Sequence, residues 1–424
     1  MSWQVRTLGE ICDEVGGVIQ TGPFGSQLHE SDYVEEGVPV VMPKNIVDGR
    51  ISTEDIARIS EVDVKRLQRH VLAVGDIVYG RRGDIGRRAL ITERERGWLC
   101  GTGCLRVSLG DTVLDPTFLY YYLGESSVTN WIANQAIGAT LPNLNTSILR
   151  SVSARHPSFP VQRRIGSILG AYDNLIENNA RRIKILEEMA QMIYREWFVN
   201  FRFPGHEKAE MVGSEIGTIP KAWPVQKVIE AMEIDPSTKV PKEGMKPFVP
   251  MGSLSHTSML ITEIEEREGN NGSKFRNGDT LFARITPCLE NGKTGFVQFL
   301  PDSEAVGFGS TEFIVLRSRT LNPEYVYLMA RSEEFRDNAI KSMSGATGRQ
   351  RVQEQCFDRF FIAYPPLEML QAFQAAVTPM FRLIYSLSLK NRNLRTTRDL
   401  LLPKLISGEV SVEQSEAEAV AQGV

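Results

Sequence analysis

The sequence predicts an α+β chain in which a mixed strand-and-helix module followed by a long helix occurs twice. The two helices are expected to form an antiparallel coiled coil that relates the modules by a pseudo-two-fold axis. Three observations carry this reading. Segments recur in one order at a nearly constant offset; both halves change from strand-like alternation to helical periodicity beyond an equivalent proline; and both helical tracts carry a heptad seam. At 424 residues the chain also exceeds what a single ordinary core organises.

The duplication is read segment by segment. Pro39-Val40-Val41-Met42 returns as Pro247-Phe248-Val249-Pro250, an offset of 208 (247 − 39). Gly75-Asp76-Ile77-Val78-Tyr79 returns as Gly278-Asp279-Thr280-Leu281-Phe282, and Leu114-Asp115-Pro116 as Leu321-Asn322-Pro323. Ile137-Gly138-Ala139-Thr140 meets Ser344-Gly345-Ala346-Thr347, and Pro157 meets Pro365. Within each half, residues 76–79, 104–107, 280–283 and 313–316 alternate as half-buried strands. Pro116 to Leu123 and Pro323 to Arg331 read as short helices with proline in the first turn.

The helical tracts follow steps of four and three. Tyr172, Ile176, Asn179, Ile183, Leu186, Ala190, Ile193 and Trp197 form one stripe. Met380, Ile384, Leu387, Asn391, Leu394, Arg398, Leu401 and Leu405 form the second, superposed on the first by the same offset (394 − 186 = 208). A helix packed only on its own module would show similar periodicity, but the matching seams favour pairing, with Asn179 and Asn391 resisting slippage. Thr378 before Pro379 reads as the start of the second helix, Pro403 as a kink or early end, and Pro204-Gly205 and Gly408 as terminal signals. The resulting domains are 1–156 and 206–364 (modules), 157–205 and 365–410 (helical regions), and 411–424, an acidic tail expected to be disordered. Each seam covers 25 steps (197 − 172), so it would hold the two modules roughly 38 Å apart.

Composition excludes several classes. A hydrophobic fraction of 42% and a charged fraction of 24% are those of a globular protein, and there is neither a bilayer-length apolar run nor a signal-peptide layout, so a cytoplasmic location is expected. Cys12, Cys100, Cys104, Cys288 and Cys356 form no C-x-x-C pair and read as small buried hydrophobes. A net charge of −4 means that any surface for a polyanion is local.

No catalytic or metal constellation is legible. Asn291-Gly292-Lys293-Thr294 resembles the end of a phosphate loop, but Pro287 stands where that loop needs glycine. Asp115-Pro116-Thr117-Phe118 and Tyr364-Pro365-Pro366-Leu367 each miss part of the adenine-methyltransferase tetrapeptide, no G-x-G turn opens a helix for S-adenosylmethionine, and the histidines lack metal spacing. Pro301-Asp302-Ser303-Glu304 lacks the lysine of a common nuclease site.

What remains is a binding surface. Arg81, Arg82, Arg87 and Arg88 sit among glycines just after a strand, suited to phosphates or guanine edges. Pairing with acids such as Asp84 and Glu93 is the alternative reading. The second half carries Arg284, Thr286, Asn291 and Lys293 at the equivalent place. Lys44, Asn45, Arg349 and Arg351 are further DNA-binding candidates, for which a merely exposed polar loop is the competing account.

At these residues the chain resembles the specificity subunits of Type I restriction-modification systems. The resemblance is carried by Thr21-Gly22-Pro23-Phe24-Gly25-Ser26, Gly75-Asp76-Ile77-Val78, Gly138-Ala139-Thr140-Leu141-Pro142-Asn143-Leu144-Asn145, the segment from Leu281 to Lys293, and Leu402-Pro403-Lys404-Leu405-Ile406-Ser407-Gly408-Glu409. It implies that each module reads one part of a split, asymmetric sequence in double-stranded DNA. It also implies that the helical regions hold two modification (methyltransferase) subunits, which restriction subunits then join. No cofactor is expected on this chain; S-adenosylmethionine, ATP and Mg would belong to the partners. Gly345-Ala346-Thr347-Gly348-Arg349-Gln350 departs from the Leu-Pro-Asn-Leu-Asn run of the first half, so the two turns are expected to make different contacts. A related methylation-only or fused nuclease-methyltransferase system, and a coiled-coil adaptor with protein-binding heads, are the alternatives.

Overall fold

The computed structural model describes residues 3–82, 85–136 and 143–412. The chain divides into two compact units, Met1–Leu175 with Asn393–Val424, and Ile176–Arg392. Gly83, Asp84, residues 137–142, with the Gly-Ala-Thr-Leu-Pro segment expected to form a turn, and residues 413–424 lie outside the described residues.

The first unit opens with a strand, Gln4–Thr7, paired antiparallel with Ser153–His156. Thr7 then caps the helix Leu8–Glu14 in a reciprocal capping box with Glu10, which satisfies two of the free N–H groups at that helix start. An antiparallel inner sheet follows in the order Val18–Thr21, Cys104–Ser108, Ile77–Gly80, Arg88–Leu90. Its apolar face buries Ile77, Tyr79, Leu105 and Val107 against Phe118, Leu119 and Leu123 of the helix Pro116–Tyr122 and the residue after it. The opposite face presents Val78 and Cys104 to an outer sheet ordered Leu99–Cys100, Val38–Val41, Ala57–Ile59, Tyr33–Val34, with its first pair parallel. Alternate strand residues face opposite ways, so one strand serves two cores.

The second unit repeats this plan. Its inner sheet runs Met232–Ile234, Phe313–Ser318, Thr280–Ala283, Thr294–Phe296, and its outer sheet contains Val306–Gly309, parallel to Lys246–Val249, with Glu265–Arg267 at the edge. The duplicated segments therefore fall on equivalent strands. The expected strand at residues 280–283 and the expected helix Pro323–Arg331 are both present with those bounds. Outer-sheet edges differ: Tyr33–Val34 is added beside Ala57–Ile59 in the first unit, whereas the second adds Ser273–Arg276 beside Val306–Gly309. A hairpin, Met211–Ser214 with Gly217–Pro220, belongs to the second unit.

The repeated Gly-Asp turn has a structural cause. Gly75 and Gly278 hold φ of 89° and 88°, a left-handed conformation that glycine adopts without strain. The following aspartate turns back to accept a backbone N–H at 2.8 Å, from Ala73 in one unit and Arg276 in the other. Each is also paired with a strand arginine, Asp76 with Arg106 at 2.8 Å and Asp279 with Arg317 at 2.6 Å, and both aspartates are almost wholly buried.

The long helices are Phe159–Tyr194, continued by a π-helical turn at Arg195–Val199, and Leu367–Ser407. Two expectations for the second helix are corrected. It begins at Leu367, not at Pro379, and it does not end early at Pro403 but continues to Ser407. A proline inside a helix costs about 3 kcal/mol. Against this, Phe373, Val377, Phe381 and Ile384 lie on the opposite stripe and are buried, each contributing roughly 1.5–3 kcal/mol. Pro379 and Pro403 both face solvent, so packing outweighs the lost hydrogen bonds. Gly408, at φ 80°, ends the helix where a Cβ would come within 2.9 Å of the Trp3 indole.

Within the second unit the helices are antiparallel: Asn179 lies opposite Asn391, and Trp197 opposite Phe373. Ile176, Ile183, Ile384, Leu387 and Asn391 are buried, and Leu186, Ile193 and Met380 pack at the margin. Asn391 donates to the Ile176 carbonyl at 3.1 Å and accepts from the half-buried Asn179 at 2.9 Å. At the π-turn the buried residue is Phe198 rather than the heptad position Trp197, because the wider turn rotates the stripe by about one position. In the first unit Tyr172, Leu394 and Leu401 are half-buried, and Arg398 forms an ion pair with Asp173, which also accepts from the Tyr121 hydroxyl at 2.5 Å.

Asp279→Ala would leave Arg317 charged in a dry site and is expected to cost about 3–5 kcal/mol in urea unfolding. Asn391→Ala strands the Asn179 amide and should cost about 1–3 kcal/mol, while Asn179→Leu combined with Asn391→Leu should recover stability.

Candidate nucleic-acid interface

In each unit the strand that follows the Gly-Asp turn ends at an arginine. Arg81 and Arg284 emerge at equivalent points, beyond Ile77–Gly80 and Thr280–Ala283. Both are half-buried rather than projecting. The Arg81 Nε donates to the Asn143 side-chain oxygen at 3.1 Å and the Leu144 carbonyl at 3.2 Å, and Leu144 N–H returns a bond to the Arg81 carbonyl at 3.0 Å. Arg284 donates to the Val352 carbonyl at 3.4 Å and pairs with Glu354 at 2.9 Å, while Val352 N–H returns a bond at 2.9 Å. A one-residue bridge follows in both, Arg82 to Asn143 and Ile285 to Arg351. The same clamp is thus built twice, joining the strand end to the chain that follows the Gly-Ala-Thr segment in sequence.

This geometry gives several of the DNA-binding candidates partners within the protein. Arg81 and Arg284 hold loops, the first through its Nε on two carbonyl oxygens and the second through one Nη on a carbonyl and a carboxylate. Arg88 is likewise structural: it donates to the Tyr120 carbonyl at 3.0 Å and lies over the Tyr120 ring at 4.9 Å. Asn45 is 1% exposed; its side chain accepts from Met42 N–H at 3.0 Å and donates to the Glu54 carbonyl at 3.4 Å, closing a turn. Thr286 is buried and accepts from Gln350 N–H at 3.1 Å. Glu93, an anticipated partner of the arginine loop, pairs instead with Arg96 at 2.6 Å. No spacing rule distinguishes a structural from a projecting arginine, since both follow a strand and precede glycine.

The exposed candidates are Lys44, Arg82, Arg87, Asn291 and Arg349. Lys293 is half-buried and donates to the Met251 carbonyl at 3.3 Å. Arg351 is half exposed and gripped by both oxygens of Glu312, at 2.5 and 2.8 Å. That pairing holds the Glu312 carboxyl below its ordinary range. A depressed carboxylate contributes its stability above the unfolded-state value and loses it as pH falls through the folded one, so this ion pair persists across neutral and mildly acidic conditions.

The cysteines divide. Cys12, Cys100 and Cys104 are buried, and burial pushes the Cys100 thiol up to about 12 and Cys104 upward as well, away from thiolate chemistry. Cys288 and Cys356 are half-buried rather than buried as expected. Among the described residues no group of three His, Cys, Asp or Glu side chains could hold a metal ion, and no helix is long and apolar enough to cross a membrane.

Two modules, each closing a polar loop onto the end of its inner sheet, can be compared with known proteins. Residues 1–188 match the family described as the Type I restriction modification DNA specificity domain. The first module and most of its helix thus resemble the DNA specificity domain of Type I systems. It is 24% identical to the Type I restriction enzyme MjaIX specificity subunit of Methanocaldococcus jannaschii, over 97% of this chain and 94% of that one. It is 31% identical to the Escherichia coli EcoAI specificity subunit over 157 residues, which is 35% of this chain and 26% of that one. The crystal structure of a Type I S subunit from M. genitalium has the same fold, with a TM-score of 0.57, 16% identity and 96% of each chain covered. The fold is therefore shared with that structure across a length where few side chains are identical.

Arg81→Ala should accelerate hydrogen exchange at the Leu144 amide, whereas Arg82→Ala should leave it unchanged; equal protection in both variants would remove the clamp.

Proposed function

We propose that this chain is a specificity subunit that reads a bipartite, asymmetric target in double-stranded DNA, one part with each module, and acts as the non-catalytic scaffold on which two modification subunits and then restriction subunits assemble. The observation that carries this is the duplicated strand-end clamp, which builds equivalent loop platforms with exposed cations beside them, Arg82 and Arg87 in one module and Arg349 in the other. Such cations supply phosphate contacts and, where geometry allows, bidentate contact with guanine. S-adenosylmethionine, ATP and Mg would be carried by the partner subunits.

For the modification subunits, the central helix offers Ile185, Met189 and Met192, spaced i, i+4, i+7 and exposed by 53%, 44% and 63%. This apolar stripe lies off the seam and suits a helix from a partner.

Exchanging residues 1–156 for the equivalent module of a relative should change one part of the methylated sequence and leave the other intact; methylome sequencing that shows both parts altered would overturn independent reading. Purified chain should transfer no methyl group from S-adenosylmethionine until modification subunits are added. Met189→Glu with Met192→Glu should abolish co-purification of those subunits without lowering the melting temperature.

A further inference from the structure

In the second module, several residues that sequence reasoning placed against DNA instead form a frame around one short hairpin. Ser344 and Arg351 exchange backbone hydrogen bonds at 3.0 and 2.9 Å, closing a loop whose residues from Ser344 to Arg349 are all exposed. Gly345 and Gly348 hold φ of 127° and 78°, and Arg349 N–H donates to the Ala346 carbonyl at 2.9 Å, so the tip is a defined turn. Its base is stitched to the inner sheet on three sides. Thr286 and Gln350 exchange bonds at 3.1 Å; Arg351 is held by both oxygens of Glu312, the residue before the strand Phe313–Ser318; and Arg284 holds the Val352 carbonyl. Gln353 adds a bond to the Ser344 hydroxyl at 2.8 Å.

Side chains within this frame are spent on the protein, while the guanidinium of Arg349 meets no acid or carbonyl among the described residues. An exposed cation on a turn fixed at both ends is pre-organised to bind an anion or a base edge, because little ordering entropy is lost when it docks.

We propose that the hairpin Ser344–Arg351 is the specificity-determining finger of the second module, that Arg349 is its DNA-contacting residue, and that Arg284, Thr286, Glu312 and Arg351 are positioning residues that hold it. This inference rests on the DNA-reading proposal and adds which side chain reads and which ones aim it. It also assigns a role to an acid: Glu312 should favour recognition although its charge repels DNA.

The sign of the Glu312 effect separates aiming from simple electrostatics. The full chain with its modification subunits is titrated against a duplex carrying the target mapped by methylome sequencing of the host, and against a scrambled duplex, over a range of salt. Arg349→Ala should weaken target binding about tenfold, lower the salt slope by about one, and relax the methylated sequence in the second part only. Glu312→Ala and Arg351→Ala should each lower the preference for target over scrambled duplex, and the double variant should cost no more than either alone. Arg351→Lys should restore part of that preference, and unchanged melting temperatures exclude unfolding. If Glu312→Ala tightens target binding, or if Arg349→Ala leaves affinity and methylated sequence unchanged while wild-type binding remains salt-dependent, the finger assignment is overturned. Absence of salt-dependent binding by the wild-type complex would instead overturn the DNA-reading proposal itself.

Discussion

Each module depends on a carboxylate buried beneath its inner sheet. Asp76 and Asp279 accept a turn N–H and face the guanidinium of the neighbouring strand, Arg106 or Arg317. Buried ion pairs of this kind add little net stability over an apolar replacement, but they fix geometry, because any displacement strands a charge in a dry site. Here the geometry fixed is the alignment of two central strands. The strand that leaves the aspartate runs only a few residues before it delivers Arg81 or Arg284 to the loop clamp, so the accuracy of the clamp is inherited from the buried pair.

The helical seam obeys a different constraint. Apolar stripes permit several registers, and the amides of Asn179 and Asn391 select one by satisfying each other and the Ile176 carbonyl. The helices also show how far packing overrides local preference. Two prolines are carried within Leu367–Ser407, and a π-turn at Arg195–Val199 sets Phe198 among Trp223, Tyr325 and Phe373 at 5.9, 4.6 and 4.9 Å. An aromatic cluster of this size is worth more than one regular heptad position.

The loops at the strand ends combine equivalence with divergence. Backbone bridges are conserved between the modules, Arg82 to Asn143 and Ile285 to Arg351, yet the side chains at the equivalent positions differ. Asn143 accepts from Arg81, whereas Arg351 reaches to Glu312. A common platform with different side chains fits the proposed reading of two unlike half-sites, since phosphate contacts position a protein and base contacts distinguish sequences.

The sequence by itself determined the duplication, the α+β class, the strands around the Gly-Asp turns, the short helix at Pro323–Arg331 and both seams, because these rest on periodicity and on local conformational demands such as the φ of Gly75 and Gly278. It also carried the resemblance to Type I specificity subunits, through the order of moderately specific segments. Only tertiary structure decided that the distal helix starts at Leu367 and passes through both prolines, since burial of Phe373, Phe381 and Ile384 around Pro379, and of Leu405 and Ile406 beyond Pro403, outweighs a local penalty. It decided too which polar residues face outward. Arg81 and Arg82, or Arg349 and Arg351, are chemically alike and adjacent in the chain; what separates a clamp from a free cation is whether a carbonyl or carboxylate from a remote segment, Leu144 or Glu312, lies within hydrogen-bonding distance.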